Sequence, residues 1–183
     1  DGLSIYNQIR RFKGQRVVHI DGIAASIASV IAMAGDQINI AANAMVMIHD
    51  PWGISVGTSE DMRKYADSLD KCGDSITSSY VAKTGGDKVQ ILDWMRAETW
   101  MNAEEAKERG FADNITDEKE YKAEFPMLAK FQNVPEALRR TATAPHVRLA
   151  KMHMRSKQIS GASPREKGQP FANTSRLERL FYC

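Results

Sequence analysis

Apolar and polar residues follow one another in short, regular blocks from Leu3 to Ile115. Leu3, Ile5, Tyr6, Ile9 and Phe12 fall on roughly one helical face, and Lys13-Gly14 ends the run, so the spacing predicts a helix. Arg16-Val17-Val18-His19-Ile20 is short and β-branched, the pattern of a buried strand, and Asp21-Gly22 breaks it. From Ser26 to Ala34 the chain is apolar nearly all round, as a buried helix is, with Gly35 closing it. Ile38-Asn39-Ile40-Ala41 alternates as a strand, and Met45-Val46-Met47-Ile48-His49 reads as a second buried one, stopped by Asp50-Pro51-Trp52-Gly53. A long helix then covers Glu60–Lys83, entered through Thr58 as cap. Its apolar positions (Met62, Tyr65, Leu69, Cys72, Ile76, Tyr80) recur at threes and fours, a stripe suited to packing on the chain's own core or on a partner helix. Val89–Arg96 predicts a shorter helix, Ala97–Met101 an extended segment, Asn102 the cap of a helix closed by Arg109-Gly110, and Phe111–Ile115 a strand. Alternation of this kind defines an α/β fold.

Beyond Thr116 the alternation stops. Leu128–Phe131 and Pro135–Arg140 read as helical turns, and from Thr141 the composition predicts disorder. The expected organisation is a domain over residues 1–117 and a basic, largely disordered tail over 118–183. Charge divides the same way. Up to residue 129 there are 14 Lys+Arg against 20 Asp+Glu; beyond it there are 11 against 3. The basic part carries few aromatics and no nucleic-acid motif, so it predicts nonspecific contact with nucleic acid at most, and more readily a solvated linker. Two cysteines, Cys72 and Cys183, are too few for a disulfide scaffold and point to a reducing compartment. No stretch approaches the roughly 18–20 apolar residues of a membrane span, so a cytoplasmic protein away from membranes is expected. No cofactor and no metal are predicted.

Candidate chemistry begins where the first strand gives way to the small-residue helix. Ser26 stands at that junction, where free backbone N–H groups and the helix dipole favour negative charge. It is either a helix cap or a nucleophile, with the N–H of Ile27 facing a developing oxyanion. His49 ends the following buried strand and is either a structural hydrogen-bonder or the general base for Ser26. His19, inside a strand, reads as packing; His146 and His153 lie in the basic tail. Gly53-Ile54-Ser55-Val56-Gly57 is glycine-bracketed and extended, an edge strand open to a peptide backbone.

Three motifs, in order, carry a resemblance. Gly22-Ile23-Ala24-Ala25-Ser26, Met45-Val46-Met47-Ile48-His49-Asp50-Pro51, and Trp100-Met101-Asn102-Ala103-Glu104-Glu105-Ala106 through Gly110-Phe111-Ala112-Asp113 resemble the Clp protease proteolytic subunit (ClpP) family, most of all its phage-type head maturation proteases. The resemblance implies a crotonase-like ββα spiral and an ATP-independent serine endopeptidase that assembles into a homo-oligomeric ring. It places the nucleophile at Ser26, the general base at His49 and the third triad member at Glu98, where the family usually has aspartate; Asp93 and Asp113 are the substitutes. It gives Gly53, Ile54 and Ser55 the role of pairing with substrate, and the helix Glu60–Lys83 that of joining stacked rings. It also implies N-terminal strands and a glycine-rich oxyanion loop ahead of Leu3, a portion of the fold that this sequence is expected to lack. Capsid or scaffold proteins and a Clp-type ATPase are the implied partners. The competing expectations are an inactive ClpP-like assembly subunit, an acyl-CoA hydratase or isomerase of crotonase type, and a signal-peptide-peptidase relative using lysine as base.

Overall fold

Short β-branched runs joined by two- or three-residue links cannot pair with each other in parallel, because a parallel return needs a longer crossover. The computed structural model, which describes residues 2–119, 130–136 and 138, resolves this by sending successive strands to different sheets. The elements are α1 (Gly2–Arg11), β1 (Val17–Ile20), β2 (Ile23–Ala25), α2 (Ile27–Ala32), β3 (Gln37–Ala41), β4 (Met45–Ile48), α3 (Ser59–Thr84), α4 (Lys88–Arg96), β5 (Thr99–Met101), α5 (Ala103–Glu108) and β6 (Asn114–Thr116). β1, β3 and β6 form one parallel sheet in that order. β2, β4 and β5 form the second, with β2 parallel and β5 antiparallel to β4. The architecture is mixed α/β with parallel pairing in both sheets.

The core lies where the strands meet the helices. Ile38 and Ile40 of β3, Val46, Met47 and Ile48 of β4, Met101 of β5, Tyr80 of α3, Ile91 and Met95 of α4 and Phe111 are all at most 1% exposed. Gly2 is buried where α1 crosses α2, and a Cβ there would meet Ile27 Cγ1 at 1.8 Å, so only glycine allows this approach. α3 starts at a capping box between Thr58 and Asp61 and ends at Gly85 in the left-handed region, φ 66°. Its buried residues (Gly73, Ile76, Thr77, Ser79, Tyr80) all lie in its second half. The apolar stripe read from the sequence is therefore core only from there on; Met62 in the first half is 51% exposed.

Several expectations are corrected. Residues 23–25, which lie between the expected strand and the expected helix, form a strand of their own, β2; Ile-Ala-Ala has little strand signature and is held extended by β4. Residues 53–57 belong to neither sheet, and Ile54 and Val56 are 81% and 84% exposed, so the expected edge strand is an unpaired exposed segment. A Cβ at Gly53 would meet the Tyr65 hydroxyl at 1.8 Å, which fixes how closely this segment passes α3. His19 is exposed on β1, not packed. Past residue 117, Val134 and Leu138 are buried, packed with Phe131 against Ile23, Met45 and Trp100 of the second sheet. Of the expected turns over 128–131 and 135–140, residues 128, 129, 137, 139 and 140 lie outside the described residues, as does the stretch from Thr141 on with His146 and His153.

Candidate active site

The register of the second sheet decides what gathers at one of its ends. Ala25 of β2 lies opposite Met47 of β4, and Ile48 of β4 lies opposite Thr99 of β5. β2 and β4 run the same way and β5 the other, so the residues just off that end are Ser26, His49 and Glu98. Three stretches far apart in sequence therefore deliver a hydroxyl, an imidazole and a carboxylate to one edge.

Ser26 is still tied to the ladder, its N–H donating to the Met47 carbonyl at 3.0 Å. It then takes φ 56°, ψ −129°, a left-handed turn that throws the chain from β2 into α2. A non-glycine residue there stores about 1–3 kcal/mol of strain, which the surrounding packing must hold. Although Ser26 occupies the cap position of α2, its side chain caps nothing. The hydroxyl points to His49 instead, with Oγ 2.8 Å from Nε2. Ile27 opens α2, so its N–H is among those a helix leaves without an intrahelical acceptor. The Ser26 carbonyl is anchored from behind: Ser29 donates to it from its N–H (3.0 Å) and from its Oγ (2.5 Å). Because that donation uses the only Ser29 hydroxyl proton, the Tyr80 hydroxyl at 2.7 Å donates to Ser29 Oγ. Tyr80 is 1% exposed, and burial pushes its ionisation far above the usual phenol range, which keeps it a donor. Sequence periodicity marks Tyr80 only as a stripe member and misses this role.

Burial lowers the His49 pKa from its ordinary 6.5, opposed first by the Glu98 charge and then by that of Asp50. The Asp50 carboxyl is raised by its own burial, against the pull of Arg96 and His49. Glu98 has φ 50°, a second strained non-glycine residue at this edge. Its carboxylate accepts from the N–H of Gln132 at 2.9 Å (Oε2), from the N–H of Asn133 at 2.7 Å (Oε1), and more weakly from the Trp100 indole at 3.4 Å. The Phe131 ring stands edge-on to His49, centroids 5.4 Å apart, and to Trp100 at 6.1 Å. The sequence signal for these contacts was slight: Phe131 follows Met127-Leu128-Ala129 and precedes Val134 in a tract without regular periodicity.

The substitute acids sit elsewhere. Asp93 pairs with Arg96 at 3.2 Å on the surface, while Asp113 pairs with Lys83 at 2.8 Å and accepts from the Ile38 N–H. Gly53, Ile54 and Ser55 follow His49 by only a few residues along an exposed stretch. Among the described residues no cluster of three His, Cys, Asp or Glu side chains could hold a metal, and no helix is long and apolar enough to cross a membrane.

A serine hydroxyl on an imidazole, at the head of a helix and with a carboxylate acting on that imidazole, is the arrangement of a serine hydrolase. A family model described as Clp protease matches residues 1–119. The chain belongs to the Clp protease family.

Proposed function

We propose that this chain is a ClpP-type serine endopeptidase with Ser26 as nucleophile, His49 as general base and Glu98 as the acid that orients it. The observation that carries the reading is the 2.8 Å contact between Ser26 Oγ and His49 Nε2, made by a serine whose strained backbone aims it away from its helix. In the reaction His49 Nε2 takes the Ser26 hydroxyl proton as Oγ attacks the carbonyl carbon of a peptide bond. The tetrahedral oxyanion faces the Ile27 N–H. His49 then returns the proton to the departing amine nitrogen, leaving an acyl-serine. Water, deprotonated by the same imidazole, releases the acid and restores the hydroxyl. The Glu98 carboxylate favours the charged imidazole in both halves of the cycle.

The same reading takes the two sheets as a crotonase-like ββα spiral. It takes Gly53, Ile54 and Ser55 as the backbone beside which an extended substrate lies, and the exposed first half of α3 as a contact between subunits of a ring. It extends to head maturation in a phage, with capsid or scaffold proteins as substrates, on the strength of the three sequence motifs. A serine within hydrogen-bond reach of histidine supports a peptidase over an acyl-CoA hydratase, which has no need of the pair, and over a lysine-based peptidase.

The test is turnover of an unstructured protein or fluorogenic peptide. Ser26→Ala and His49→Ala should each lower kcat by about 10⁴-fold or more, and the double variant little further, because members of a triad act as a unit. Activity that survives either substitution would leave a shared fold without this chemistry, as would a wild-type chain that assembles and hydrolyses nothing.

A further inference from the structure

Residues 130–138 lie beyond the stretch that matches the family, yet they reach the proposed catalytic edge at three points. The Phe131 ring meets His49 and Trp100. The N–H groups of Gln132 and Asn133 each take one oxygen of the Glu98 carboxylate. The Asn133 side chain donates from Nδ2 to the Ala97 carbonyl at 2.7 Å, tying the segment to the residue before Glu98. Val134 and Leu138, 6% and 8% exposed, fasten it to Ile23 of β2, Met45 of β4 and Trp100 of β5. Those are the three strands that carry Ser26, His49 and Glu98.

We propose that Phe131-Gln132-Asn133 is a positioning clip that orients the Glu98 carboxylate toward His49 and so sets the rate of the chemical step. The inference rests on the serine-peptidase reading above. Its physical reason is the length of glutamate: one methylene more than aspartate adds a rotatable bond, and an acid that wanders cannot hold an imidazole in one orientation. Two N–H donors, one on each oxygen, fix the carboxylate plane, and with the Trp100 indole also on Oε1 they leave a lone pair on Oε2 for another donor. The carboxylate also keeps a firm acceptor role without needing water. Phe131 packs against the imidazole in a T-shaped contact, ring centroids 5.4 Å apart.

The clip is tested in the full chain by removing its Asn133 donors. Asn133→Pro deletes the N–H that binds Oε1 together with the side-chain amide that holds the segment to the Ala97 carbonyl. It should lower kcat by about 10- to 100-fold, the effect outer-shell partners commonly have, with KM unchanged. In a Glu98→Ala background the same substitution should cost nothing more, because the group it positions is gone. Phe131→Ala, which keeps both N–H donors, should repeat this pattern more weakly and carries the test should thermal melting show Asn133→Pro unfolded. A rate that is unchanged or raised would overturn the proposal, the segment then diverting Glu98 or covering the cleft. A loss that adds in full to that of Glu98→Ala would also overturn it, making the segment scaffold alone. The underlying reading fails separately: turnover that persists in Ser26→Ala removes the nucleophile and the clip with it, whereas its loss there beside an unaffected Asn133→Pro removes only the clip.

Discussion

Ser26 pays for its aim with backbone strain, and that strain can be measured apart from catalysis. Glycine adopts φ near 56° freely and alanine does not. Ser26→Gly and Ser26→Ala should both be inactive, yet the glycine variant should be the more stable by about 1 kcal/mol, seen as a higher Tm. Equal stability would mean the turn relaxes once the hydroxyl is gone. His49 makes a second residue-scale prediction. Its pKa lies below 6.5, and the base works only when neutral, so the acid limb of kcat/KM should fall below pH 6.5. Glu98 stabilises the protonated ring, so removing its charge lowers the pKa further. Glu98→Gln should therefore move that limb to lower pH while reducing the rate; movement to higher pH would contradict the assigned electrostatics. At this scale much was legible. Ser26 beside a helix start and His49 at a strand end are readable as residue types at break points, but the direction of the Ser26 hydroxyl depends on a φ that no side-chain pattern records.

Among the elements, the caps Thr58 and Asn102 were legible in sequence because they are local chemistry, each joined to a residue three along, Asp61 and Glu105. Asp87, which accepts from the Gln90 N–H in the same way, was hidden in a turn, and Ser26, which also offered itself as a cap, turns its hydroxyl elsewhere. Thr58 and Asn102 should differ in weight. α5, packed on β4, β5 and β6, buries Ala103 and Ala106, so Asn102→Ala should cost about 1 kcal/mol of global stability by denaturant unfolding. The first turns of α3 pack on little, so Thr58→Ala should leave the global value nearly unchanged and instead speed hydrogen exchange over residues 59–63. The reverse ranking would mean that the first half of α3 is held by contacts outside the described chain. Strands were harder. β1, β3 and β4 carry β-branched or alternating residues, but β2 is Ile-Ala-Ala and β5 is three residues long; both are strands because β4 lies between them. Residues 53–57 show the converse, a strand-like composition left extended and unpaired because no strand lies alongside.

The whole molecule works by phase. Three strands of the second sheet end at one edge, and the offset of their ladders sets which residue each presents. A slip of one residue in β4 would turn His49 to the opposite face and break the site, and would displace Val46, Met47 and Ile48 from the core with it. The α/β alternation was legible because each block is short and regular. The return of residues 130–136 and 138 to that edge was not, since it rests on two buried side chains and two backbone donors in a tract without regular periodicity. The central claim is that this edge makes one serine nucleophilic. Reaction of the full chain with a fluorophosphonate, followed by peptide mapping, tests it most directly. The account predicts a single stoichiometric adduct on Ser26 that is lost in His49→Ala; an adduct on a different serine, or on Ser26 with His49 removed, would contradict it.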